Sequence, residues 1–453
     1  MAQTENEDPI VATAPVPAGP MVDLTAASDA AVAELPPEIM AQSLGQYLRA
    51  WLQRIRSGDS GVLPVLLGLV IVGGVFGIIT PENAYLRPSN LVYIFGLSTV
   101  YVVLATAEIS VLLLGEIDLS IGSVALLGGT IAFKLVQVDP GPNWPWWAAI
   151  LMALVCCGFI GALQGTLASR LRIPSFVVTL AGYLLFQGIV VIILGGADGT
   201  LSVSSQLPNQ SVIFNLVQGV IDPTVGWVAL AVLVVIAGAA IWLRGSARRR
   251  SGLVAPPAAV IVMRIAFIAA GGAAVVAICG ENLPPGVPEV IPIVLVIVGV
   301  WTLLLQRTRF GRYVYAIGGN PEAARRAGVN LAWVRTGAFA LCSATAGFGG
   351  ILLGSFFYGQ YSTNAADPGQ LILYSVAAAV IGGTSLFGGR GKPIHALLGG
   401  LLIGGIAYGV SLLSLGAYST PLTYILPGAV LLIAVLVDVS SRRGARTGSV
   451  SRV

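Results

Sequence analysis

GEIDLSIGS, residues 115–123, sets two carboxylates and two serines among glycines, between long apolar runs. A charge at membrane depth is costly wherever it faces lipid, so Glu116 and Asp118 should face protein, water or a pathway. The stretch is too short and too Gly-rich for an uninterrupted span. It reads as a break between helices, tolerable at that depth only where it is buried in protein or lines a cavity. Glu116, Asp118, Ser120, Gly122 and Ser123 are therefore candidates for a broken helix on a conduit.

The flanking composition agrees. Of 453 residues, 56% are apolar and 10% charged, against about 25% charged in an average soluble domain. A hydrocarbon core of about 30 Å takes roughly 20 helical residues to cross. On that scale twelve spans begin near Val62, Leu91, Asp118, Trp146, Ile173, Thr224, Pro257, Val290, Thr336, Gly369, Ile394 and Pro421. The third is the least regular, so the count runs from ten to twelve. The fold class is all-α, a polytopic transmembrane helix bundle with broken helices. With both termini cytoplasmic, every Lys and Arg except Arg87, Lys134 and Arg264 falls on the inner side, the bias that sets orientation.

Residues 1–40, rich in Ala, Pro, Asp and Glu, lack the basic and apolar regions of a signal peptide and read as a disordered cytoplasmic tail. Residues 41–58 place Leu44, Tyr47, Leu48, Trp51 and Ile55 at helical spacing beside Arg49, Arg54 and Arg56, which suits an amphipathic surface helix. The transmembrane domain runs over 59–440, and 441–453 form a second cytoplasmic tail. The pentapeptide ALLGG occurs at 125–129 and again at 396–400, each copy after a Gly-rich break, GEIDLSIGS or GGTSLFGGRGKP. Paired interrupted helices point to a transport pathway.

Little here supports chemistry. The four cysteines lie in or at the ends of apolar runs as packing residues, and the lone His395 has no partners at metal-ligand spacing. No metal, cofactor or nucleic acid is expected. A phosphate loop needs G-x-x-x-x-G-K-[ST]. Gly389-Arg390-Gly391-Lys392-Pro393 has Leu386 where the first glycine should stand and proline after the lysine.

The longest cytoplasmic loop, 307–335, carries GGNPEAARRAG from Gly318 to Gly328. Asn320 can cap a helix, Pro321 suits its first position, and Glu322 complements its dipole. Ala323, Ala324 and Ala327 leave one face small, Arg325 and Arg326 follow, and Gly328 ends the helix. A short helix lying shallow on the membrane, open to a partner's groove, fits this pattern.

EAARRAG resembles the E-A-A-x-x-x-G coupling loop of ATP-binding-cassette importer permeases, and YAIGGNPEAARRAGVN resembles the version in sugar permeases of the ribose/xylose type. GEIDLSIGSV is similar to that family's GGIDLSVGSV, VIGGTSLFGGRG to its late Gly-rich turn, and IPSFVVTLAGYLLFQG (173–188) to its IPSF-x-VTL-x-G helix. The likeness runs from about Leu91 to Val437, and the ATAEISVLLLGEIDLS wording resembles xylose-type permeases most. Two positions depart: Ala338-Phe339-Ala340-Leu341 stands near the general pattern's I-x-L-P, and Glu116 replaces a glycine. The resemblance implies a non-catalytic subunit of the bacterial inner membrane, in contact with lipid, that imports a monosaccharide such as xylose. It further implies a second permease copy, a cytoplasmic ATP-binding subunit that hydrolyses ATP, and an extracellular sugar-binding protein. Asn320, Glu322, Ala323, Ala324, Arg325, Arg326 and Gly328 would couple to the ATPase. Branched-chain amino acids or nucleosides are alternative cargoes for this class.

A sugar route needs hydroxyl and amide groups, and Thr99, Thr106, Gln164, Ser175, Thr179 and Gln187 supply them, with interhelical hydrogen bonding as the alternative role for each. Glu108, inside the second span, is either a proton or cation site or a carboxyl bonded to a neighbouring helix. If Glu108, Glu116 or Asp118 carried coupling ions, the chain would be a secondary transporter. Asp118 either caps the helix that follows it or lines the route, and Glu116 either shapes the local field or pairs with a cation.

Overall fold

The computed structural model describes residues 63–139, 141–196, 198–251, 257–362 and 367–450, with side chains to 436, together with residues 45–47 and 49. The tail expected at 1–40 and most of the surface helix expected at 41–58 lie outside the described residues. Of the expected tail at 441–453, the backbone of 441–450 is described and is helical.

In chain order the helices are α1 (Leu63–Ile79), α2 (Pro88–Leu112), α3 (Ile121–Val136), α4 (Trp146–Arg170), α5 (Ser175–Leu194), α6 (Pro208–Gln218), α7 (Pro223–Arg250), α8 (Ala258–Gly280), α9 (Val290–Arg307), α10 (Arg309–Gly319), α11 (Pro321–Arg326), α12 (Leu331–Phe356), α13 (Pro368–Ile381), α14 (Ala396–Leu412) and α15 (Ser419–Val450). Two short antiparallel ladders tie loops: β1 (Thr200–Ser202) with β4 (Gln360–Ser362), and β2 (Val220–Ile221) with β3 (Val287–Pro288). Among the described residues nine helices are long and apolar enough to cross a membrane, and α1, α3 and α13 are shorter apolar helices. Each expected span has its helix, the largest offset being Leu331 against Thr336.

The chain divides into two units, Met1–Gln53 with Ala239–Arg264, and Arg54–Gly238 with Ile265–Val453. In the first, the described part holds the Arg-rich end of α7 and the start of α8, where Ile261 packs beside Gly245. In the second, α2 and α12 form the centre, with 89% and 72% of their spans buried, whereas the span of α15 is 6% buried and presents Ile425, Leu432, Ile433 and Leu436 outward. Apolar side chains turned outward are what a lipid solvent allows, so association at the centre must come from close packing instead.

Glycine provides that packing. At the crossing of α3 and α12 a Cβ on Gly350 would lie 1.7 Å from the Ala125 carbonyl oxygen, and one on Gly128 would lie 2.4 Å from the Gly347 Cα. Backbone meets backbone there, and no rotamer can relieve an added side chain. Gly350→Val is therefore expected to lower thermal stability in detergent by about 1–3 kcal/mol or more, the cost of overpacking. Gly188→Val, where no atom lies within 4 Å of the new Cβ, should leave the melting temperature near that of the unaltered protein.

Two helices are too short for a crossing. At 1.5 Å per residue, the 16 residues of α3 cover about 24 Å and the 14 of α13 about 21 Å. Each is completed by irregular chain: Leu113–Ser120 before α3, and the residues on both sides of α13, of which 363–366 are not described. The helix after GEIDLS restarts at Ile121, so Gly122 and Ser123 belong to α3 and not to the break. The irregular approach to α13 through β4 was not expected from the sequence.

Candidate functional site: two breaks and a capped surface helix

The first break is held by a buried polar chain. The backbone amide of Asp118 donates to Glu108 Oε1 at 3.1 Å, and Asp118 Oδ1 accepts from the Ser120 amide at 2.8 Å and from Ser120 Oγ at 2.6 Å. Gln164 Nε2 reaches Ser120 Oγ at 3.0 Å, and Cys342 Sγ lies 3.9 Å from Asp118 Oδ2. Thr179 Oγ1 lies 3.5 Å from the Ile117 carbonyl and donates to Ser175 O at 2.9 Å. Glu108, Asp118, Ser120, Ser123, Gln164 and Thr179 are all buried. Five sequence candidates thus meet: Glu108, Asp118, Ser120, Gln164 and Thr179. The Asp118 carboxylate receives the amide of Ser120, the residue preceding α3, so it folds the entry turn ahead of the helix's own first amides.

Ser123 hangs from that chain through the Ser120 carbonyl and Ser175 lends only its backbone carbonyl to Thr179, while the other candidates stand apart. Thr99 Oγ1 donates to Gly96 O within its own helix at 2.5 Å, and Ser123 Oγ donates to Ser120 O at 2.9 Å. Thr106 is buried, and its hydroxyl has no hydrogen-bond partner among the described residues. Ser175 and Gln187 are half-buried on α5.

Glu116 has a cation. Its Oε1 lies 2.8 Å from Nε of Arg335, in the second turn of α12, with side chains 13% and 28% exposed. The two charges touch without a directed hydrogen bond, and Glu116 Oε2 has no partner among the described residues. Removing one member of such a pair strands the other in a poorly hydrated place. Arg335→Ala should cost about 1–3 kcal/mol of stability, less than a fully buried pair because both groups retain some water. Adding Glu116→Gln to it should recover most of that loss, and a double-mutant cycle of melting in detergent checks both.

The two breaks touch. The Gly389 amide donates to Leu113 O at 2.9 Å, and Gly388 packs on Gly115. Gly318, one residue from the end of α10, fits against both: a Cβ there would lie 1.8 Å from Leu113 O and 2.6 Å from Gly389 N. Tyr315 Oη donates to Gly391 O at 2.7 Å, a second tie from α10 to the later break. Positive φ angles at Gly115, Gly388, Gly389 and Gly391 explain why glycine fills these turns.

From this junction the chain enters α11. Asn320 Oδ1 accepts from the Ala323 amide at 3.0 Å, Pro321 occupies the first turn, and Gly328 closes the helix at φ +81° with its amide on Arg325 O. The helix is Pro321–Arg326, with Gly328 beyond its end. Glu322 accepts from Arg325 at 2.8 Å and lies 3.5 Å from Arg326, all three exposed. The hydrogen bond from Arg325, and then its charge, hold the Glu322 carboxyl below the ordinary glutamate value, so it stays ionised at neutral pH. Ala323 and Ala327 are exposed, but Ala324 is buried against the protein. The small outward face therefore excludes Ala324, which a count of alanines along the sequence could not resolve.

Apolar crossing helices, unwound chain held in buried polar contacts, and a capped surface helix joined to both breaks define a multi-pass membrane permease. The chain belongs to the family described as the branched-chain amino acid transport system permease component, whose model matches residues 90–435. It is similar to the xylose transport system permease protein XylH of Escherichia coli (strain K12), 32% identical over 381 residues, covering 84% of this chain and 92% of that protein. XylH of Haemophilus influenzae is 30% identical over 396 residues, covering 86% and 99%. The ribose import permease protein RbsC of Escherichia coli (strain K12) is 26% identical over 392 residues, covering 86% and 95%. No solved structure matches.

Proposed function

We propose that this chain is the membrane subunit of an ATP-driven importer that carries a monosaccharide, a pentose such as xylose, across the bacterial cytoplasmic membrane. The observation that carries the proposal is the path from α11 to the breaks: a rigidly capped, exposed helix whose preceding backbone, at Gly318, is wedged between Leu113 and Gly389. A push on α11 reaches both breaks through one backbone contact. ATP is hydrolysed on a separate polypeptide. Two copies of the permease pair around the route, two ATP-binding subunits dock on their α11 helices, and an extracellular sugar-binding protein delivers cargo. Closure of the ATP-binding subunits moves α11 and turns the route from outward to inward facing.

Two measurements test this in vesicles holding the permease and its partners. ATP-loaded vesicles should keep taking up xylose when a proton ionophore is present. An uptake that the ionophore abolishes would make the chain an ion-coupled transporter. Glu322→Lys reverses the charge at the start of α11 and breaks its contacts to Arg325 and Arg326. It should reduce both uptake and the ATP hydrolysis stimulated by the binding protein by about ten-fold, the loss of one or two charge-assisted hydrogen bonds at a docking surface. Unchanged values for both would remove α11 from the coupling role.

A further inference from the structure

Asp367 precedes α13 and was singled out by no sequence pattern, yet it is an exposed carboxylate at the start of a short apolar helix of the bundle. Its depth follows from its neighbours. Tyr374 of α13 packs edge-on against Tyr101, midway along α2, with ring centroids 5.2 Å apart. Asp367 is seven residues before Tyr374, about 10 Å along the helix axis. The first turn of α13 also abuts Gly122 at the start of α3, where a Cβ would lie 2.1 Å from Pro368 O. Asp367 thus lies about 10 Å along the helix axis from the level of Tyr101, the midpoint of the α2 span, inside a crossing of roughly 30 Å.

A carboxylate at that depth cannot face lipid without a large cost, and among the described residues no Lys or Arg pairs with it. Its surroundings are polar instead. Oδ1 accepts from the Gly369 amide at 2.9 Å and Oδ2 from Tyr424 Oη at 3.1 Å. Each oxygen can accept a second bond, which leaves room for two more donors. Tyr183 stands on the other side: its hydroxyl would lie 3.6 Å from a Cβ on Gly369, and it makes no hydrogen bond among the described residues. Tyr183 continues the α5 series Ser175, Thr179 and Gln187 at intervals of four, and it is half-buried, while Tyr424 is 42% exposed.

We infer that Asp367, with Tyr183 and Tyr424 beside it, contacts the hydroxyl groups of the monosaccharide as it passes through the membrane. Two adjacent sugar hydroxyls can donate to the free acceptor sites of the carboxylate, a third can bond the unpartnered phenol of Tyr183, and the aromatic faces suit the apolar C–H side of a pyranose. Few contacts of this kind hold a sugar weakly enough to release it. The inference rests on the monosaccharide reading above and adds the place where the cargo is touched.

The test uses the full transporter, co-reconstituted with its ATP-binding subunit and binding protein, and initial ATP-driven uptake of D-xylose and of each monodeoxy-xylose. Any preference of the binding protein acts equally on every permease variant and cancels from the ratio of unaltered to variant rates. For Asp367→Asn that ratio should be about ten for D-xylose, the loss of a hydrogen bond to a charged group. It should fall to about three for each of the two monodeoxy sugars that lack one of the contacted hydroxyls, the other hydroxyl keeping its bond. Tyr183→Phe removes one oxygen that has no partner inside the described protein, so it does not threaten folding. It should show the same pattern with a factor of about three, that of a neutral hydrogen bond. A ratio that is equal for all the sugars in Asp367→Asn, or a D-xylose rate in Tyr183→Phe equal to that of the unaltered protein, overturns the inference while leaving the importer reading intact. Asp367→Asn activity that depends on sodium or proton concentration and not on the sugar overturns it in favour of a cation site. An unaltered transporter that moves none of the sugars overturns both readings.

Discussion

Gly318→Val is expected to abolish sugar uptake, whereas Gly319→Val, one residue on, should leave it within about two-fold, a difference that follows from overpacking at one position only. At Gly319 nothing lies within 4 Å of an added Cβ; at Gly318 the new carbon would sit 1.8 Å from Leu113 O and 2.6 Å from Gly389 N. All the atoms it meets are backbone, and they already bond each other through the Gly389 amide and Leu113 carbonyl. A valine must part the two breaks or push α10 away from both. The strain is on the order of 1–3 kcal/mol or more, enough to shift a switching equilibrium by ten-fold or beyond. The readouts are ATP-driven uptake and ATP hydrolysis stimulated by the binding protein, made on protein that elutes as a single species. Gly318→Val should lose both and Gly319→Val should keep both. Equal behaviour of the two variants would mean that the junction transmits nothing.

The contrast between adjacent glycines also marks the limit of what the sequence displays. Helix starts are local events, written in prolines and capping side chains: Asn320 before Pro321, Asn330 before Leu331 and Asp367 before Pro368 each accept an amide of the helix they precede. For that reason the order of the spans and the bounds of α11 are legible without coordinates. The GEIDLS break is legible too, because acids and glycines interrupt an apolar run. The partners across the bundle are not. Nothing in the spacing of Glu116 says that Arg335 meets it, and nothing in a run of alanines says that Ala324 alone turns inward. Gly318 and Gly319 are equivalent letters until the neighbours arriving from two other parts of the chain are known. Asp367 escaped notice for a related reason: in sequence it resembles an ordinary cap at a membrane face, and only the packing of Tyr374 on Tyr101 places it at depth.

Asp118 separates a structural role from a route-lining one. Its carboxylate accepts both the amide and the hydroxyl of Ser120, and Ser120 in turn bonds Gln164, all of them buried. Asp118→Leu leaves that buried amide and hydroxyl without their acceptor, at about 1–3 kcal/mol each. The expected result is a loss of roughly 2–6 kcal/mol in stability, read as a large drop in melting temperature and in the yield of folded protein. Asp118→Asn keeps an amide oxygen where Oδ1 stands, so Ser120 retains both bonds, and the new amide group replaces Oδ2, whose hydrogen-bond contact among the described residues is the Cys342 sulfur. It should therefore fold, and transport sugar at a rate within about three-fold of the unaltered protein, since one weak contact is all that changes. The opposite outcome would carry equal information. If Asp118→Asn melted normally but lost uptake, the carboxylate's charge, and not its hold on Ser120, would be what transport needs, and the break would line the route directly.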